Sequence, residues 1–100
     1  MITMTDQSAA AYFYLLTALS QADTPACIGD LLAAILTESE QIEIANRLLI
    51  FAQLQQGLPQ REISERLGVG IATVSRGAKA YQRHAVATLL PDLADALPTH

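Results

Sequence analysis

A chain of 100 residues, 51% hydrophobic, with two Phe, three Tyr and no Trp, has room for one apolar core and none for a second domain. The lone Cys27 excludes an internal disulfide, and no apolar run approaches the roughly 20 residues that span a bilayer. His84 and His100 are the only imidazoles, no Cys/His set has metal-ligand spacing, and neither an enzyme nor a metal site is expected. A core drawn mainly from Ala, Leu and Ile favours closely packed helices, so the expected fold is all-α. No Lys or Arg precedes the apolar stretch Ala9 to Leu16, which argues against a signal peptide and for a cytoplasmic protein.

Net charge is −4, which by itself speaks against a nucleic-acid partner. Its distribution speaks for one. Five of the six basic residues, Arg61, Arg66, Arg76, Lys79 and Arg83, fall between Gln60 and His84, where Glu62 and Glu65 are the only acids. One basic face on an acidic body suits a protein that meets DNA in a single orientation.

In chain order, residues 1–8 are short and polar and are expected to lie outside any helix. A first helix is expected from Ala9 to Ser20, ended by the loop Gln21 to Pro25. Pro25 suits the first turn of a second helix capped by Thr24, with Ile28, Leu31, Leu32 and Ile35 at helical spacing. Thr37 followed by Glu40 reads as a capping box that opens a third helix, Glu38 to Gln56, stopped at Gly57. Leu48 to Ala52 are five consecutive apolar residues and cover the whole circumference of that helix. One small subunit hardly buries such a segment, so an intertwined homodimer is expected; a central helix of a monomeric bundle is the alternative.

Gln60 to Arg76 fits a helix-turn-helix, with the motif running from residue 60 to about 81 in a single domain of residues 1–100. Ile63, Leu67, Val69 and Val74 supply the contacts that hold two short helices at a steep angle. Gly68 stands where the first helix must end in a left-handed conformation, which a Cβ resists by roughly 1 kcal/mol. The second helix then starts near Ile71. Ile71 and Ala72 are apolar at its exposed start, which suits contact with thymine methyl groups or, alternatively, packing against a dimer partner. Arg61, Arg76 and Lys79 suit phosphates or guanine edges, while Arg66 and Arg83 read best as a solvated charged face. The residues expected to face double-stranded DNA are Gln60, Arg61, Ser64, Gly70, Ile71, Ala72, Thr73, Ser75, Arg76 and Lys79.

The stretch from Leu36 to about Lys79 resembles the bacterial tryptophan repressor family. Leu-Thr at 36–37, Arg47-Leu-Leu-Ile, Gln60-Arg-Glu and the run Gly68-Val-Gly-Ile-Ala-Thr-Val-Ser-Arg-Gly77 carry the resemblance. It implies a repressor that binds operator DNA as an intertwined homodimer of six-helix subunits, its heads angled by bound L-tryptophan as corepressor. Arg47 and Arg76 match the two arginines that sandwich the indole, with Arg76 also meeting the carboxylate. A guanidinium suits both tasks, being planar and able to pair with a carboxylate. Thr73 and Gly77 would line the pocket, and Ala34, Leu36 and Thr37 of the other subunit would complete it. For Arg47 an ordinary pair with Glu43, four residues earlier, is the alternative.

Ala80 stands where the family pattern has a Ser whose hydroxyl helps hold the ligand's amino group. That loss is worth roughly 0.5–1.5 kcal/mol, which keeps open a constitutive helix-turn-helix regulator without a tryptophan ligand. Ser64 and Lys79 also differ from the usual residues, and the loop from Gly57 to Gln60 is one residue shorter than the pattern.

Overall fold

The computed structural model describes residues 4–97, and every regular element among them is helical. The chain forms two compact units, divided between Ser39 and Glu40.

The first unit carries α1 (Asp6–Gln21) and α2 (Pro25–Ile35). α1 starts three residues before the position expected from the apolar pattern. The reason is local: the Thr5 hydroxyl caps the helix by accepting the Ser8 N–H at 3.0 Å and donates to the Ser8 hydroxyl at 2.9 Å. Thus Asp6, Gln7 and Ser8 are helical, contrary to the expectation that residues 1–8 lie outside any helix; residues 1–3 of that stretch, like His100, lie outside the described residues. α2 begins as expected, with Pro25 in its first turn and Thr24 accepting the Cys27 N–H at 3.1 Å. Neither helix has a buried residue, and Phe13 and Tyr14 are 70% and 76% exposed.

The second unit holds α3 (Glu38–Gln55) from Glu40 onward, followed by α4 (Gln60–Leu67), α5 (Ile71–Arg83), α6 (Val86–Leu89) and α7 (Leu93–Ala96). The turn after α3 passes through Gly57, whose N–H bonds the Leu54 carbonyl, and Pro59 then precedes the first turn of α4. Ile50 of α3, Ile63 of α4 and Val74 of α5 are fully buried against one another, with Leu54, Leu58, Leu67 and Val69 packed around them. Three helices therefore share one core at the point where the chain turns from α4 into α5. Ala52 is also fully buried, while Leu48, Leu49 and Phe51 are half-buried, so this unit covers much of the segment that reads as apolar all round.

Seven helices are described where the sequence reading gives about six, because Pro91 lies in the break between α6 and α7 and cannot donate to a helical ladder. The broken segment is tied down by one amide. Gln55 donates to the Leu90 carbonyl at 3.0 Å and accepts the Ala94 N–H at 2.7 Å, which holds the C-terminal turns to the end of α3. α5 also continues to Arg83, two residues beyond the expected end.

Candidate functional site: a helix-turn-helix and the pocket beside it

Ser64, Gly68 and Val69 set the turn between α4 and α5. Gly68 takes the left-handed conformation at φ 66°, and its N–H and that of Val69 both bond the Ser64 carbonyl, at 3.0 and 3.3 Å. The Ser64 hydroxyl donates to the Val69 carbonyl at 2.6 Å. Ser64 is half-buried, and its hydroxyl donates into the turn, a role that its place in the motif did not reveal.

Beyond the turn, Gly70 precedes the first residue of α5 and is exposed. At about 100° per residue, Ile71, Ala72, Ser75, Arg76 and Lys79 fall within an arc of roughly 140° on α5, and Val74, Gly77 and Tyr81 fall on the other side. Burial follows the same division. Val74 and Gly77 are buried, whereas Ile71, Ala72, Arg76 and Lys79 are exposed, with Ile71 at 52%. Gln60 and Arg61 are exposed in the first turn of α4. Arg66 pairs with Glu62 at 2.9 Å, both about two-fifths exposed, a pair worth only about 0.3–0.5 kcal/mol in solvent. It fits the solvated face expected for Arg66.

Close approach of α5 to α3 is possible only because residue 77 is glycine. A Cβ there would stand 2.9 Å from Ile50 Cγ2 and 3.8 Å from Arg47 Cδ. Just along from this contact the two helices part around an opening of about 440 Å³, lined by Glu43, Asn46, Arg47 and Ile50 from α3 and by Val69, Gly70, Thr73 and Arg76 from the turn and α5. Of the expected ligand-binding residues, Arg47, Thr73 and Arg76 therefore face one space, and Gly77 packs beside it. Half-buried Ala80 is not among the lining residues. Ala34, Leu36 and Thr37 belong to the first unit, where Ala34 lines a separate depression with Ala18, Gln21 and Cys27.

Both arginines are held by neighbours that leave their charge free. The Arg76 guanidinium donates to the Thr73 hydroxyl at 3.3 Å, and that of Arg47 lies 6.0 Å from the centre of the Phe51 ring. Phe51 in turn meets Tyr81 of α5, ring centres 5.8 Å apart. Among the described residues no carboxylate pairs with either arginine, so the Arg47–Glu43 pair considered from sequence is absent. Glu43 and Asn46 as pocket-lining residues were not found by the sequence reading. Glu43 and Arg47, like Asn46 and Ile50, are four residues apart, and Glu43 and Asn46 are three apart, which puts all four on one face of α3, but which face α5 leaves open depends on how the helices cross. No group of three or more His, Cys, Asp or Glu residues able to hold a metal occurs among the described residues, and no helix is long and apolar enough to cross a membrane.

An all-helical chain with a helix-turn-helix, its second helix walling a guanidinium-lined pocket, defines a narrow class. This chain belongs to the Trp repressor protein family, whose model matches residues 11–90. It is similar to the Trp operon repressor homolog of Chlamydia trachomatis, 36% identical over 80 residues that make up 79% of this chain and 85% of that one. The homolog of Chlamydia caviae is 41% identical over 64 residues, 63% of each chain. With the homolog of Aliivibrio fischeri the identity is 44% over 55 residues, 54% of this chain, and the match spans about half (51%) of that relative's length. No solved structure matches this chain.

Proposed function

We propose that this protein is a cytoplasmic transcriptional repressor that reads double-stranded operator DNA with α5, works as a homodimer and is gated by an amino-acid corepressor, L-tryptophan. The observation that carries this reading is that Arg47 and Arg76 face one opening while Arg76 belongs to the helix whose other residues form the exposed arc. The names of the relatives, Trp operon repressor homologs, point the same way. In this mechanism a planar ligand stacks between the guanidinium of α3 and that of α5, and its carboxylate pairs with Arg76. The separation of the two helices, and with it the tilt of α5, is then fixed by the ligand. Two α5 helices of a dimer engage successive major grooves only when about 34 Å apart, so a modest change of tilt selects the binding state.

The homodimer is supported by apolar surface that the chain leaves uncovered. Phe13 and Tyr14 of α1 and Ile42 and Ile44 of α3 are all at least 48% exposed, and burying each such side chain fully is worth about 1.5–3 kcal/mol. Sedimentation should give a dimer that persists at micromolar dilution, with unfolding that depends on protein concentration; a stably folded monomer would refute it.

DNA reading is tested by salt. Against a duplex selected by the protein from a random pool, affinity should fall steeply as salt rises, and Arg61→Ala or Lys79→Ala should each lower the slope of log affinity against log salt by about one. A substitution that weakens binding at unchanged slope would remove that residue from the phosphate contacts.

A second reading is favoured by Ala80, whose methyl offers no hydrogen bond to a ligand's ammonium group. On that reading the protein binds DNA constitutively, and operator affinity is the same with and without L-tryptophan.

A further inference from the structure

The opening between α3 and α5 contains one carboxylate. Glu43 lines it with Arg47, Thr73 and Arg76, and lies one helical turn before Arg47. Residues four apart on a helix have Cβ atoms about 5–6 Å apart and are close enough to pair when oppositely charged. Here they do not: Arg47 lies over the Phe51 ring, Arg76 bonds Thr73, and Glu43 has no side-chain partner among the described residues. Two guanidiniums and one carboxylate therefore face the same space without pairing with one another, beside the half-buried apolar side chain of Val69.

Such a lining is complementary to a zwitterion with a large apolar side chain. The ligand carboxylate pairs with a guanidinium in a forked, charge-assisted contact, the ammonium with the Glu43 carboxylate, and the side chain lies on Val69. A ligand without the ammonium group brings its own negative charge toward exposed Glu43 and offers that carboxylate no partner. Ala80 has no polar side-chain atom and does not line the opening, so it cannot hold an ammonium group there. We propose that Glu43 is the ammonium-recognising residue of this pocket and makes it selective for α-amino acids over their des-amino analogues. The proposal rests on the reading that this opening is the ligand site, and it adds the group that decides ligand class.

Calorimetric titration of the full chain and of Glu43→Gln, with L-tryptophan and with indole-3-propionate, its des-amino analogue, tests the assignment. The wild type is expected to bind L-tryptophan more tightly than indole-3-propionate. Glu43→Gln should weaken L-tryptophan about tenfold or more, the value of one charged hydrogen bond, while binding indole-3-propionate as well as the wild type or better. Retained binding of indole-3-propionate also reports that the variant is folded. Unchanged L-tryptophan affinity in Glu43→Gln overturns the proposal, as does an equal loss of both ligands, which would mean that Glu43 only shapes the pocket. If the wild type binds neither compound, the ligand-site reading itself fails, an outcome distinct from wild-type binding that ignores Glu43.

Discussion

Ile50→Ala should destabilise the protein by about 2–5 kcal/mol and reverse the effect of a second substitution, Gly77→Ala. Ile50 is fully buried between Ile63 and Val74, in the core shared by α3, α4 and α5, so its loss leaves a cavity at the junction of three helices. Against a total stability of about 5–15 kcal/mol that is a large fraction. Gly77→Ala on its own meets two opposed effects. Helix propensity favours Ala by about 0.5–1 kcal/mol, whereas a Cβ placed 2.9 Å from Ile50 Cγ2 overpacks a buried contact at a cost of about 1–3 kcal/mol. Overpacking wins while Ile50 is present, and Gly77→Ala should then be destabilising. In the Ile50→Ala background the opposing methyl is gone, so the same substitution should stabilise by about 0.5–1 kcal/mol. Urea unfolding of the four proteins at one protein concentration reads the coupling directly. A Gly77→Ala that stabilises in both backgrounds would mean that α5 is not held against α3 by this contact.

The second large effect belongs to Arg47. Arg47→Ala should remove the response of operator binding to L-tryptophan, leaving affinity the same with and without ligand at the weak, ligand-free level. Its guanidinium already lies over the Phe51 ring, and Phe51 meets Tyr81 on α5, so Arg47 presents a planar face to the pocket from a position braced by both helices. Arg47→Lys keeps the charge and loses the plane, and should recover only part of the response. Fluorescence anisotropy of labelled operator, titrated with each protein with and without L-tryptophan, checks both. Full gating in Arg47→Ala would take this residue out of the ligand site.

Much of the head was legible in the sequence, because its geometry is dictated residue by residue. Gly68 was expected to be left-handed and is; Ile63, Leu67, Val69 and Val74 were expected to pack α4 against α5 and do. Caps were harder where two signals compete. Thr24 and Pro25 mark α2 together, but the Thr5–Ser8 cap of α1 lies in a polar stretch without apolar periodicity and went unread. The pocket was half legible. Arg47, Thr73 and Arg76 came from the family resemblance, whereas Glu43 and Asn46 join them only through the crossing of α3 and α5, a long-range feature that no local pattern encodes. The basis for a dimer also moved. Ile50 and Ala52 of the all-round apolar segment are buried within the chain, and the uncovered apolar surface lies instead at Phe13, Tyr14, Ile42 and Ile44.

Gating of operator binding by a ligand held between α3 and α5 is tested most directly by its reciprocity. If L-tryptophan tightens binding of the wild type to its operator by some factor, saturating operator must tighten L-tryptophan binding by the same factor. Paired titrations, operator affinity with and without L-tryptophan and L-tryptophan affinity with and without operator, should therefore return one number greater than one. Tight operator binding that is indifferent to L-tryptophan and to every other amino acid would contradict the account, leaving a helix-turn-helix protein that binds DNA constitutively.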